Sequence, residues 1–166
     1  MFVRTASERD IPAIRALLVE TWHHTYDPIY GVEKVTEITN EWHSIASLTA
    51  RLTAPRSEFL VADDGEVLAG MAFAAADESG ETVTLRQLYV LPSMQGRGVG
   101  GMLLGEVEDS FPEARRLVLE VEAANEKAIR FYVSHGFVDT GLSDDLCRHA
   151  GVSETVRRME RRRATP

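Results

Sequence analysis

The chain predicts an α/β fold of the α+β type: one mixed sheet of six to seven strands, mainly antiparallel with one parallel pair, flanked by four helices. Three observations carry this. Apolar residues recur at helical spacing early in the chain, over 11–22 and again over 35–52. Two strand-like runs then meet at Asp64-Gly65, the dipeptide of a tight hairpin, so pairing there is antiparallel. The second half alternates strand and helix after a glycine-rich turn, which brings in the parallel pair. At 166 residues this is a single domain spanning 1–166.

Each element has its own signature. Residues Phe2 to Thr5 alternate and form a first strand, closed by the polar run Ser7-Glu8-Arg9-Asp10. From Asp10, Ile11, Ile14, Leu17, Leu18, Thr21 and Trp22 fall on one helical face, with Pro12 in the first turn, where its missing N–H does no harm. Pro28 and Gly31 are expected to break that helix. Val35, Ile38, Trp42, Ile45, Leu48 and Leu52 form a second helical stripe ending near Pro55. Residues 59–62 and 67–75 are the hairpin strands, and Asp77-Glu78-Ser79-Gly80 turns the chain into a third strand over 82–91 that Pro92 stops. Val99, Met102, Leu103 and Val107 make the next helix face, and Arg116 to Glu122 the next strand. Asn125 opens a helix with Ala128, Ile129, Phe131 and Tyr132 on its apolar side, and Gly136 closes it. Residues 137–140 and 155–160 are the final strands, and 141–151, with no clear period, is a loop.

Composition narrows the function. Hydrophobic residues at 44% and charged residues at 27% are those of a globular protein. Eighteen Lys and Arg against 26 Asp and Glu give a net charge of −8, which argues against nucleic acid as the partner but leaves room for a local small-anion site. Cys147 is the only cysteine, so no intrachain disulfide forms. Arg4, Arg9, Asp10 and Arg15 interrupt the first nineteen residues, leaving neither a signal-peptide core nor a membrane span; the expected location is cytoplasmic, with no membrane partner. His23-His24 and Cys147-x-His149 lack the paired spacing of a zinc site, so no metal is expected. Arg157, Arg158, Arg161, Arg162 and Arg163 are expected on the outer face of the last strand and in a solvated tail. Trp22 and Trp42 lie on the apolar stripes and belong to the core.

The run Gln95-Gly96-Arg97-Gly98-Val99-Gly100-Gly101 sits between a strand and a helix. Free N–H groups at a helix N-terminus bind anions, and glycines let the backbone come close to phosphate oxygens. A Walker A loop is excluded, because no Gly-Lys-Ser/Thr follows. Gly96, Gly98 and Gly101 match G-x-G-x-x-G, with Glu120 about twenty residues on. Against a dinucleotide site, Pro92 to Gln95 separate strand from loop, and a meander precedes it. A strand-to-helix turn that binds nothing is the plain alternative.

The wider segment resembles the GNAT superfamily of acetyl-CoA-dependent N-acyltransferases. Leu88-Tyr89-Val90-Leu91-Pro92 and Gln95 to Gly100 match its Q/R-x-x-G-x-G/A motif. Asn125-Glu126-Lys127-Ala128 and Phe131-Tyr132-Val133-Ser134-His135-Gly136-Phe137 match N-x-x-A-x-x-F-Y-x-x-x-G-F. The resemblance implies acetyl-CoA as cosubstrate, its pyrophosphate on Gln95, Gly96, Arg97, Gly98, Val99 and Gly100. Its pantetheine arm would pair with the backbone of Leu88 and Val90, where a bulge splays the sheet, and would bond Asn125, which is also an N-cap. Lys127 is expected as a solvated first-turn lysine.

By the same resemblance Tyr132 protonates the departing thiolate, and the Val90 N–H polarises the thioester carbonyl. The position where many members carry a glutamate base is Thr84. Glu122 is the expected substitute, with Glu120 expected on the opposite face. Tyr26, Asp27 and Tyr30, at the junction of the first two helices, are the expected acceptor contacts. The implied reaction is direct attack by a primary amine in a ternary complex; Cys147 lies outside both motifs, which disfavours an acyl-enzyme. The alternative is a non-catalytic acyl-CoA-binding or sensing module on the same fold. The identity of the amine stays open, and dimers are common in the superfamily.

Overall fold

The computed structural model describes residues 1–143 and 155–163. Their order is β1 (Phe2–Thr5), α1 (Ile11–Tyr30), α2 (Val32–Trp42), α3 (Ile45–Arg51), β2 (Ser57–Asp63), β3 (Leu68–Ala76), β4 (Thr82–Val90), α4 (Val99–Ser110), β5 (Arg116–Glu122), α5 (Glu126–Ser134), β6 (Val138–Ser143) and β7 (Val156–Arg162). The strands form one sheet in the order β1-β2-β3-β4-β5-β7-β6. Only β4 and β5 run parallel, and every other neighbour is antiparallel.

Three local expectations change. The first helix runs through Pro28 to Gly31, whose φ of 86° and N–H bond to the Asp27 carbonyl at 2.9 Å end it. Pro28 lies in the last turn, so it removes only the N–H that would have reached the His24 carbonyl. The second apolar stripe is two helices, giving five among the described residues. The break is at Ser44, whose extended backbone (ψ 157°) and hydroxyl, accepting the Ser47 N–H at 3.1 Å, start α3 afresh. Finally, β6 extends to Ser143, into the segment expected as a loop; the rest of that loop, with Cys147 and His149, lies outside the described residues.

The core has a layer on each side of the sheet. Leu60, Ala72, Ala74, Val83, Leu85, Leu117, Leu119 and Val121 meet α4 and α5 through Val99, Leu103, Val107 and Tyr132. On the other face Phe59, Val61, Met71 and Phe73 meet α1 and α3 through Ile11, Ile14, Leu18 and Leu48. Strand alternation sorts the two sets. The C-terminal arginines are more engaged than a solvated tail would be. Arg161 lies over the Phe137 ring at 5.1 Å, pairs with Glu108 and donates to the His135 carbonyl at 2.7 Å. Arg163 donates to the carbonyls of Glu108 (2.6 Å), Phe111 (3.0 Å) and Pro112 (2.8 Å), closing the C-terminus of α4 with a cation.

A bulge positions the site. Phe73 pairs with Gln87 but Ala74 with Leu85, so Arg86 is an extra residue in β4. Up to Leu85, β4 pairs with β5; beyond it, Glu120 to Glu122 keep only β7 as a partner, and the sheet opens between its two parallel strands.

Candidate active site

The opening exposes one edge of β4. The Leu91 N–H bonds the Ala69 carbonyl at 2.8 Å, so by alternation the amides of Leu88 and Val90 face away from β3 and into the gap. The Val90 carbonyl confirms this direction by accepting Gln95 Nε2 at 3.0 Å. The other end of that amide, Gln95 Oε1, accepts Lys127 Nζ, so Gln95 ties the loop to both β4 and α5. Lys127 is therefore held at the site and is not merely solvated.

The loop has the form of an anion cradle. Gly96 and Gly98 adopt φ of 78° and 82°, a region that favours glycine. Gly98 is the N-cap of α4 and supplies no side-chain oxygen, so among the described residues no side-chain cap closes the N–H groups of the first turn. Gly100 serves packing: a β-carbon there would stand 3.0 Å from the Phe131 ring. Arg97 stands exposed at the tip and does not border the cavity.

Two cavities flank the opening. One, of about 760 Å³, is bordered by Leu88, Val90, Gln95, Gly96, Gly98, Val99 and Gly100. The other, of about 680 Å³, is bordered by Trp22, Trp42, Thr84, Gln87, Glu120 and Glu122. Tyr26, Asn125 and Tyr132 border both. Asn125 Oδ1 caps α5 by accepting the Ala128 N–H at 3.2 Å, while its Nδ2 donates to the Tyr26 hydroxyl at 3.3 Å. Tyr132 is buried, edge-on to Phe131 and Phe137 with ring centroids 5.2 and 5.5 Å away. Burial, and then the nearby Tyr26, push its phenol well above the ordinary tyrosine range.

The remaining expected residues divide. Glu122 borders the second cavity, and its Oε2 accepts the Tyr30 hydroxyl at 2.9 Å. Tyr30 itself borders neither cavity and reaches the site through that bond and through its ring, stacked on Tyr26 at 5.8 Å; Asp27 instead pairs with His23 at 2.7 Å. Glu120 lies on the same face as Glu122, because residues two apart in a strand point the same way, and it is bonded by Arg158 at 3.3 Å. Thr84 borders the cavity without a carboxylate. Sequence reasoning missed Trp22, Trp42, Gln87 and Tyr89 as walls, because tryptophans on apolar stripes read as core and the bulge resets which β4 side chains face α1. It also missed His24 and His135 beside the first cavity.

Residues 12–137 match the profile of the acetyltransferase (GNAT) family. The chain belongs to the GNAT acetyltransferase family. Among GNAT relatives, it is 32% identical over 118 residues to N-alpha-acetyltransferase RimI of Mycobacterium tuberculosis, covering 68% of this chain and 73% of that one. It is 28% identical over 148 residues to peptidyl-lysine N-acetyltransferase YiaC of Escherichia coli, covering 86% and 88%. Its fold superposes on the PaiA N-acetyltransferase of Thermoplasma acidophilum, solved with coenzyme A, at a TM-score of 0.82, 23% identity and 97% and 98% coverage. The GNAT site fits the acetyl-CoA on which the family depends: uncapped N–H groups and positive-φ glycines suit a pyrophosphate, and the bared edge of β4 suits an arm carrying amides. Among the described residues no helix is long and apolar enough to cross a membrane.

Proposed function

We propose that this GNAT acetyltransferase moves an acetyl group from acetyl-CoA to a primary amine by direct attack in a ternary complex. The observation that carries this is Tyr132, which borders both cavities and so stands where a donor in one would meet an acceptor in the other. Bound acetyl-CoA supplies a thioester, an acyl group on a good leaving sulfur. The chain's residues do the rest. The Gln95–Gly100 loop and Asn125 hold the coenzyme, and the β4 edge at Leu88 and Val90 aligns it, with the Val90 N–H donating to the carbonyl oxygen. Glu122 takes the amine's proton. Tyr132, whose burial keeps its proton in place through the working pH range, gives that proton to the sulfur.

RimI is named for an alpha-amine and YiaC for a peptidyl-lysine. A panel of peptide N-termini, lysine side chains, polyamines and amino acids, followed by release of free coenzyme A, therefore tests the reading. Tyr132→Phe should lower kcat by about 100-fold while leaving acetyl-CoA affinity within about twofold; unchanged turnover removes Tyr132 as the acid. Thr84 at the glutamate position favours one second reading, a binding or sensing module. Acetyl-CoA binding with no release across the panel would establish it.

A further inference from the structure

We infer that His135 is a proton-linked ligand of the coenzyme: its Nε2 takes up a proton as the phosphate oxygens of acetyl-CoA settle at the N-terminus of α4. This rests on the acetyl-CoA reading above. His135 follows α5 directly and borders the cavity of the glycine loop. Its Nδ1 lies 2.9 Å from the Phe131 carbonyl and 3.1 Å from Ser134 Oγ, which itself donates to Phe131 O at 2.6 Å. A carbonyl oxygen only accepts, so Nδ1 carries the ring hydrogen. The neutral ring is thereby fixed in one tautomer with a bare lone pair on Nε2.

Packing also fixes where that lone pair stands. The ring lies against Phe131 with centroids 4.3 Å apart, and Nε2 is 3.2 Å from where a β-carbon on Gly101 would be. It is held over the first turn of α4, on the side where Gly101 carries no side chain. A lone pair repels a phosphate oxygen, whereas an imidazolium N–H donates a charge-assisted hydrogen bond to it. The charged neighbours come from four elements. From α5, Glu126, Lys127 and Arg130 border the same cavity, as does His24 of α1. Behind the ring, Arg161 of β7 donates to the His135 carbonyl at 2.7 Å and pairs with Glu108 of α4. An anion brought among these groups gives the protonated ring a partner that the neutral ring lacks, so binding and protonation are coupled.

The test is calorimetric titration of acetyl-CoA into wild type, His135→Gln and His24→Gln at pH 6.5, in two buffers of different ionisation enthalpy. Wild type and His24→Gln should each take up about half a proton more per ligand than His135→Gln. The ratio of the His135→Gln Kd to the wild-type Kd should rise from about 1 at pH 8 to about 10 at pH 6. The phosphomonoester of acetyl-CoA titrates in this range too, but equally for all three proteins, so the differences isolate the imidazole. Equal uptake by wild type and His135→Gln overturns the inference and leaves the coenzyme reading standing. No binding at millimolar acetyl-CoA by any of the three ends both. Should His135→Gln not fold, the imidazole NMR titration of the wild type decides: its midpoint must move to higher pH when acetyl-CoA is added, and an unmoved midpoint sinks the idea.

Discussion

The Tyr30 hydroxyl donates to Glu122 at 2.9 Å from outside the second cavity, while its ring stacks on Tyr26 at 5.8 Å, so Tyr30 meets the site by two routes. On the proposed mechanism Glu122 is the base, and the hydroxyl of Tyr30 orients it. Glu122→Gln should lower kcat by about 100-fold. Tyr30→Phe should lower kcat by about three- to tenfold with the KM for acetyl-CoA unchanged. The double variant should be no slower than Glu122→Gln alone, because a hydroxyl that acts only through a carboxylate contributes nothing once that carboxylate is gone. Additive losses would show that Tyr30 acts by a second route, its stack on Tyr26. Glu120, on the same face and bonded by Arg158, is the control: if Glu120→Gln is the slower of the two glutamine variants, the base is Glu120.

Where β3 and β4 run under α4, the sheet and helix approach too closely for a side chain at Gly70. A β-carbon there would lie 2.8 Å from the Tyr89 carbonyl oxygen and 2.9 Å from Leu103 Cδ1. The nearest obstacle is backbone and cannot rotate away. Gly70→Ala should cost about 1–3 kcal/mol in urea unfolding. It should also weaken acetyl-CoA binding, since Gly70 pairs with Val90 on the strand edge that faces the cavity. Lost stability with unchanged affinity would mean that β4 moves without disturbing its free edge. These elements differ in how far the sequence betrays them. The hairpin at Asp64-Gly65, the strand Arg116–Glu122 and the Asn125 cap are set by chemistry within a few residues, and each forms where expected. The Arg86 bulge depends on the register of two strands at once, and the Tyr30–Glu122 bond spans 92 positions, so neither has a local signature. The helix through Pro28 shows tertiary support overriding a breaker in a last turn. The face of Glu120 was different, since the two-residue period of a strand already placed it beside Glu122.

For the whole molecule, acid is the informative stress, because the wall between α1, α2 and β4 is built around a neutral histidine. His43 is 1% exposed, with Trp22 at 5.5 Å and Tyr89 at 6.5 Å between ring centroids, and among the described residues neither ring nitrogen has a hydrogen-bond partner. Burial, then the cations Arg51 and Arg15, push its pKa down to about 3. With the folded value below the unfolded one, the unfolded chain binds the proton more tightly. Stability is therefore full above about pH 6.5 and falls as pH drops toward 3, by at most about 2 kcal/mol between pH 7 and pH 5. Asp10 acts in a lower window: Arg4 at 2.8 Å holds its carboxyl well below the usual range, so its contribution is lost only once unfolded carboxylates protonate near pH 4. Urea unfolding at pH 7 and pH 5 separates the two. Wild type should lose up to about 2 kcal/mol over that interval, and His43→Phe, which keeps an aromatic ring in the cluster and removes the titrating group, should lose less than half as much. Parallel losses would place the acid-sensitive group elsewhere. Trp22 and Trp42, which pack on His43, also line the second cavity, and because the folded ring stays neutral down to about pH 3, mild acid lowers the folded fraction and leaves this wall intact in the molecules that remain folded. The acceptor KM should accordingly follow the same pH dependence in wild type and His43→Phe between pH 7 and pH 5, and a difference between them would show that His43 gains its proton while the protein is still folded.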